Sequence, residues 1–137
     1  MRLRVIPSFC EYQGARFAHG KIDRDKFIHP FRWVTNKGQI LKVKDMPTPH
    51  LFFSFRMLFN HSVPPVFRVG AFKRYPDVPN WSVEYRQLAL EKLLKEIALR
   101  ADLDADQAAE IKDIQANCEV LSQKYDVRDL LADKRLV

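Results

Sequence analysis

The residues best suited to binding a ligand are cations that stand close to aromatic side chains. On a helical wheel of residues 50–61, Phe53 lies three positions before Arg56 and on the same side as Asn60. An aromatic ring beside a guanidinium can stack on a nucleobase while the cation holds a phosphate. The predicted ligand-binding residues are Arg32, Trp33, Lys44, Phe53, Arg56, Asn60 and Trp81.

The same side chains have an ordinary structural explanation as well. The opposite side of the predicted helix is apolar and should be core, so another segment can equally cover Phe53 and Met57. Trp33 can likewise pack on the start of the helix, and Asp45 can brace it. The sequence leaves burial and ligand contact open for these residues. The apolar side consists of Leu51, Phe52, Phe55, Leu58 and Phe59.

No pattern in the sequence indicates catalysis or a metal site. A glycine-rich phosphate loop and a nucleophile-elbow sequence are both missing from the chain. His50 and His61 are three helical turns apart, about 16 Å, which is too far for one metal ion. The acidic run from Asp102 has the spacing of a calcium loop, but its sixth position is Gln107 instead of glycine. We therefore predict a non-enzymatic protein with no cofactor and no metal ion.

Charge is distributed unevenly along the 137 residues, whose net charge is +6. Residues 1–76 hold 14 Lys and Arg against 4 Asp and Glu, while residues 77–137 hold 9 against 13. A phosphate-bearing partner is one explanation, and attraction between the two parts, within a monomer or across a homo-oligomer, is another. A solvated basic face with no specific partner is the third.

Composition indicates a soluble protein of a reducing compartment. Nothing approaches the ~18 uninterrupted apolar residues that a membrane span requires. The N-terminus lacks an apolar stretch long enough for a signal peptide. Cys10 and Cys118 are far apart and belong to no pairing motif, as in proteins of the cytosol.

Strands and one helix are predicted for the N-terminal part. Residues 36–38 are Asn-Lys-Gly, a tight-turn signal, so residues 33–44 should form a β-hairpin. Thr48 suits the N-cap, and Pro49 the first position, of a helix at about 49–61. Further extended segments are predicted at residues 3–6, 15–18, 27–35 and 66–72.

Two helices are predicted for the C-terminal part. Ser82 should cap a helix that ends at about Arg100, and Asp104 forms a capping box with Gln107 for the next helix. A short connection should fold them into an antiparallel helical hairpin. The expected inward residues are Val83, Leu90, Leu93, Leu94, Ile97 and Ala101 in the first helix and Ile111, Ile114, Cys118 and Leu121 in the second.

The order of these elements predicts an α+β fold class. Strands come first and helices later, which differs from alternating βαβ units. A length of 137 residues suits a single domain, 1–137, with a basic β-rich part (1–76) and a helical part (77–137).

One stretch resembles a motif of small bacteriophage and prophage proteins. It comprises Trp33-x-Thr35-x-x-Gly38, then Asp45-Met46, His50-Leu51 and Arg56-Met57-Leu58, about 26 residues or a fifth of the chain. Its spacing is moderately specific because a hairpin, a turn and a helix start are fixed together. The family usually has asparagine where this chain has Phe53, so the resemblance implies nothing for that position.

The resemblance implies a function in phage counter-defence. Some carriers of the motif are similar to anti-Thoeris sponge proteins, which sequester cyclic ADP-ribose-like signals and sometimes cyclic oligonucleotides. The expected function is sequestration of such a phosphorylated ligand in the host cytoplasm, without catalysis. A protein-binding inhibitor or adaptor of a host defence complex is the first alternative, and a basic nucleic-acid-binding protein is the second.

Overall fold

The computed structural model describes residues 23–76, 78–124 and 131–132. The strands predicted at residues 3–6 and 15–18 lie outside these ranges. Within them, a small antiparallel sheet is followed by three α-helices, so the predicted α+β class is confirmed. Among the helices so described, none has the length and apolar character needed to cross a membrane.

The predicted hairpin is present but shorter than expected. Strand β1 (Trp33–Val34) pairs antiparallel with β2 (Ile40–Leu41). Gly38 has a φ of 85°, the left-handed conformation that this turn requires. The amide of Val34 donates to the Tyr85 hydroxyl at 3.0 Å, and that hydroxyl donates to the Arg32 carbonyl at 2.9 Å. The Tyr85 side chain thus satisfies backbone groups of Val34 and Arg32 that a third strand would otherwise bind.

The extended segment predicted at 27–35 is wrong over most of its length. A 3-10 helix spans Arg24–Phe27, and residues 28–31 form a turn that contains a cis peptide bond before Pro30. The Asp23 carboxylate caps the 3-10 helix by accepting from the Asp25 amide at 3.1 Å. The 3-10 helix is capped locally, and Pro30 has no amide hydrogen to donate to a neighbouring strand. Only β1 is therefore paired in the segment 27–35.

Helix α1 (Thr48–His61) is the centre of the fold, close to its predicted range of 49–61. Every residue from Leu51 to His61 is buried. Thr48 is the first residue of the helix and does not cap it, because its hydroxyl binds residues of the C-terminal part instead. The Thr48 Oγ1 atom donates to Asp102 Oδ1 at 2.7 Å and accepts from Arg100 Nη1 at 3.0 Å.

The strand predicted at 66–72 is also wrong. Pro65–Phe67 forms a 3-10 helix, and the chain continues without regular structure. The Asn60 side chain accounts for the difference. Its Nδ2 donates to the Val69 carbonyl at 2.9 Å, and its Oδ1 accepts from the Val69 amide at 3.0 Å. Both backbone groups of Val69 are therefore satisfied by one side chain, with no strand partner.

The two C-terminal helices are α2 (Val83–Ile97) and α3 (Ala105–Lys124), and α2 packs closely on α1. The Ser82 cap is confirmed by a 3.1 Å bond from the Tyr85 amide, and the capping box of Asp104 and Gln107 by bonds of 2.7 and 3.3 Å.

The predicted inward stripes are only partly correct. Helix α2 buries Tyr85 and Arg86 in addition to Leu93 and Ile97, because the polar ends of these long side chains find internal partners. In contrast, Ala101 and Cys118 are exposed. The predicted stripe residues that lie partly exposed are Val83, Leu90 and Leu94.

Candidate functional site

The three aromatic residues predicted to stack on a ligand all lie in the core. Trp33 is 0%, Phe53 1% and Trp81 7% exposed. The two tryptophan rings meet edge to face, with centroids 5.6 Å apart. A nucleobase could reach these rings only if the core opened, so the structure gives them a packing role.

Arg56 is also internal, although it does lie beside Phe53 as predicted. Its guanidinium carbon is 4.8 Å from the centroid of the Phe53 ring, and Nη1 binds Glu110 Oε1 at 2.7 Å. Gly70 passes over this pair, since a Cβ there would lie 2.5 Å from Arg56 Nη1 and 2.9 Å from Glu110 Oε1. The cation therefore links α1 to α3 beneath the loop, and Asn60, one turn away, holds that loop through Val69.

Further arginines bind backbone carbonyls and aromatic rings inside the protein. The Arg24 guanidinium lies 3.8 Å from the centroid of the Trp81 ring. Arg86 donates to the Leu131 carbonyl at 2.9 Å and to Ser62 Oγ at 3.2 Å, and burial lowers its pKa to about 10. The buried arginines Arg24, Arg56 and Arg86 thus have structural roles.

His61 is a buried residue whose two ring nitrogens are both used. Nδ1 is 2.9 Å from the Met57 carbonyl, and Nε2 accepts from the Tyr75 amide at 2.8 Å, which is the tautomer with hydrogen on Nδ1. Burial lowers its pKa to about 4, and the positive charge of Arg86 adds to this effect. The imidazole is therefore neutral near pH 7 and joins α1 to the chain at Tyr75.

One concave surface among the described residues combines cations with a ring, and it lies along α2. We call it the basic groove. Its volume is about 360 Å³. The Phe31 ring in its wall rests against Tyr85, with centroids 5.3 Å apart, and Leu99 in it is 77% exposed. The groove is lined by Phe31, Val43, Lys92, Lys95, Glu96 and Leu99.

The basic groove is electropositive. Glu96 Oε2 is bound by Arg100 Nε at 2.9 Å, so its charge is compensated. Neither Lys92 nor Lys95 forms an ion pair with any residue in the described ranges. Both ammonium groups are therefore available to an anionic ligand.

Two of the predicted site residues are next to this groove in the chain. Lys44 is exposed and follows Val43, while Arg32 follows Phe31 and donates from Nη1 to the Phe31 carbonyl at 3.0 Å. Sequence reasoning missed Lys92 and Lys95. Their signal was the i, i+3 spacing of two lysines on α2.

A second groove, of about 550 Å³, lies beside the N-terminal half of α2, and we call it the acidic groove. Its walls carry three carboxylates against one lysine. Asp25 also accepts a hydrogen bond from the Ser82 hydroxyl. The lining residues are Asp25, Lys26, Ile28, His29, Glu84, Gln87, Leu88 and Glu91.

Comparison with known proteins gives no relative, since no family model, no curated protein and no solved structure matches the chain. The resemblance to phage proteins thus stays a prediction. Over the described ranges, no three His, Cys, Asp or Glu side chains are grouped so that they could hold a metal ion.

Proposed function

We propose that this protein is a non-enzymatic binding protein that holds a phosphorylated ligand in the basic groove. The observation that carries the proposal is the meeting of Lys92, Lys95 and the Phe31 ring in one concavity. Following the resemblance described above, the ligand would be a cyclic nucleotide signal and the setting phage counter-defence in the host cytoplasm.

The chemistry of the groove suits a molecule of nucleotide size. Sites for small molecules commonly have volumes of about 300–1,000 Å³, and the basic groove lies within this range at about 360 Å³. Lysine ammonium groups bind phosphate as point charges. Phe31 offers a ring for base stacking, while Val43 and Leu99 offer apolar contacts to the remainder.

Binding alone would be enough to sequester the signal. No bond in the ligand is made or broken, so each protein molecule would withdraw one signal molecule from the host. Heating would then release the ligand unchanged.

An inhibitor that binds an acidic host protein is the second candidate. Leu99 is 77% exposed beside Lys95, and an exposed apolar side chain among cations suits a partner with an apolar anchor and acidic neighbours. Capture of one defined host complex, insensitive to nuclease and to free nucleotides, would favour this candidate.

Native mass spectrometry with a panel of cyclic mono- and dinucleotides tests the proposal. The wild-type protein should retain a ligand 1:1, and Lys92→Gln with Lys95→Gln should weaken retention about 100-fold, since a hydrogen bond to a charged group contributes about 1.5–3 kcal/mol. Lys112→Gln is the matched control, because Lys112 is exposed on α3.

Equal retention by the double variant and the control would overturn the assignment of the groove. Binding of nucleic acid in place of nucleotides would appear as an affinity that falls steeply with salt concentration. An affinity that does not change with salt concentration would exclude nucleic acid, and the small ligand and the protein partner would remain as candidates.

A further inference from the structure

The outer side of α2 carries acidic and basic residues in succession. Helix α2 borders the acidic groove from Glu84 to Glu91, and it borders the basic groove from Lys92 onwards. The two grooves follow one another along the same helix. One surface therefore presents both members of a complementary pair.

The side chains between the grooves form a single seam. At about 100° per residue, Leu88, Glu91 and Lys95 fall within about 60° of one another on the helical wheel. Glu91 and Lys95 are exposed and Leu88 is half-buried, while Leu99, in the turn after the helix, is 77% exposed. Spacings of three and four residues are those by which helices pack on one another.

We infer that a second copy of this chain docks on this seam, with the two α2 helices antiparallel. A twofold axis places each residue i against j and each j against i. In the antiparallel arrangement Glu91 of one copy approaches Lys95 of the other, twice, whereas a parallel arrangement places like charges together. The charges of two copies are thus complementary when their α2 helices are antiparallel, and not when they are parallel.

The contact should be weak and sensitive to salt. Helix α2 has 15 residues, about 22 Å, so the contact lies at the lower end of specific interfaces. Its charges are exposed, and salt screens such charges over about 10 Å at 0.1 M. Self-association should therefore rise with protein concentration and fall with added salt.

The seam and the basic groove share one residue. Lys95 lines the basic groove and also lies on the seam. A second copy and an anionic ligand would therefore compete, and the ligand would shift the protein towards the monomer. Glu91 lies outside the basic groove, which allows the two ideas to be separated.

Charge reversal followed by sedimentation equilibrium over a concentration series tests the seam. Glu91→Lys alone and Lys95→Glu alone should each weaken association at least tenfold. The double variant should recover the wild-type association, and an equimolar mixture of the two single variants should form a heterodimer. Glu119→Lys and Lys112→Glu, both exposed on α3, are the matched controls and should behave as wild type.

A wild-type protein that stays monomeric throughout the series would overturn the inference, as would a double variant no better than the single ones. Circular dichroism verifies that each variant is folded, and heterodimer formation itself requires folded partners. Rescue by the double variant without nucleotide binding by any variant would refute the proposed function alone. Nucleotide binding by a strictly monomeric protein would refute the docking alone.

Discussion

The central helix α1 and the outer side of α2 place similar residues in opposite environments. In α1, Arg56 lies against Phe53 and is neutralised by Glu110, so that cation and ring hold the fold together. Along α2, Lys92 and Lys95 share a groove with Phe31 and have no acidic partner in the described ranges. The neighbourhood of a cation and a ring therefore indicates a ligand site only where the pair remains accessible.

The largest expected difference concerns the two phenylalanines. Phe53→Ala should lower the free energy of unfolding by about 3–5 kcal/mol, because it removes a ring that is 1% exposed and leaves a cavity. Phe31→Ala, at a half-buried wall of the basic groove, should cost less than half as much. Urea unfolding of both variants measures this, and equal losses would erase the contrast between the two regions.

Arg56 should behave as a structural residue and not as a ligand contact. Arg56→Ala is expected to lower the free energy of unfolding by about 3 kcal/mol, since it leaves Glu110 without its partner beneath Gly70. Lys95→Ala, at an exposed position, should change stability by less than about 0.5 kcal/mol. If the Arg56→Ala protein were fully stable but no longer retained the nucleotide, Arg56 would be a ligand contact after all.

Acid should destabilise the region around α1 through His61. Its pKa is lowered from 6.5 to about 4 in the folded protein, so the unfolded chain takes up the proton first. The stability due to the neutral imidazole is complete above pH 6.5 and is lost as the pH falls towards 4. Between pH 7 and pH 5 the free energy of unfolding should decrease by about 2 kcal/mol.

His61→Gln should flatten this pH dependence of unfolding, measured by urea titration at each pH. His50→Gln measures the separate share of His50, because burial lowers the pKa of His50 as well. An unchanged slope in His61→Gln would mean that His61 is not the group responsible.

Local signals in the sequence sufficed for the elements whose ends are fixed by neighbouring residues. Gly38 marked the hairpin turn, Ser82 marked the start of α2, and Asp104 with Gln107 marked the start of α3. Each is a contact across three or four residues, so the pattern of residue types alone contains it.

The sequence could not reveal partners that lie far apart in the chain. Arg56 binds Glu110, 54 residues later, and Arg86 binds the carbonyl of Leu131. Burial of a charged side chain depends on such partners, and no periodicity records them. The same limit applies to the groove, since Phe31 and Lys95 meet only through the packing of α2 on the rest of the protein.

Arg100 couples the shape of the basic groove to its charge. Its guanidinium donates to the carbonyls of Val43, Lys44 and Met46, at 3.4, 3.1 and 2.8 Å, and thereby fixes the wall opposite Lys95. Its Nε also binds Glu96, so replacement of this one residue would loosen the wall and leave a carboxylate of the groove lining unpaired. Position 100 therefore controls both the width of the basic groove and the charge of its lining.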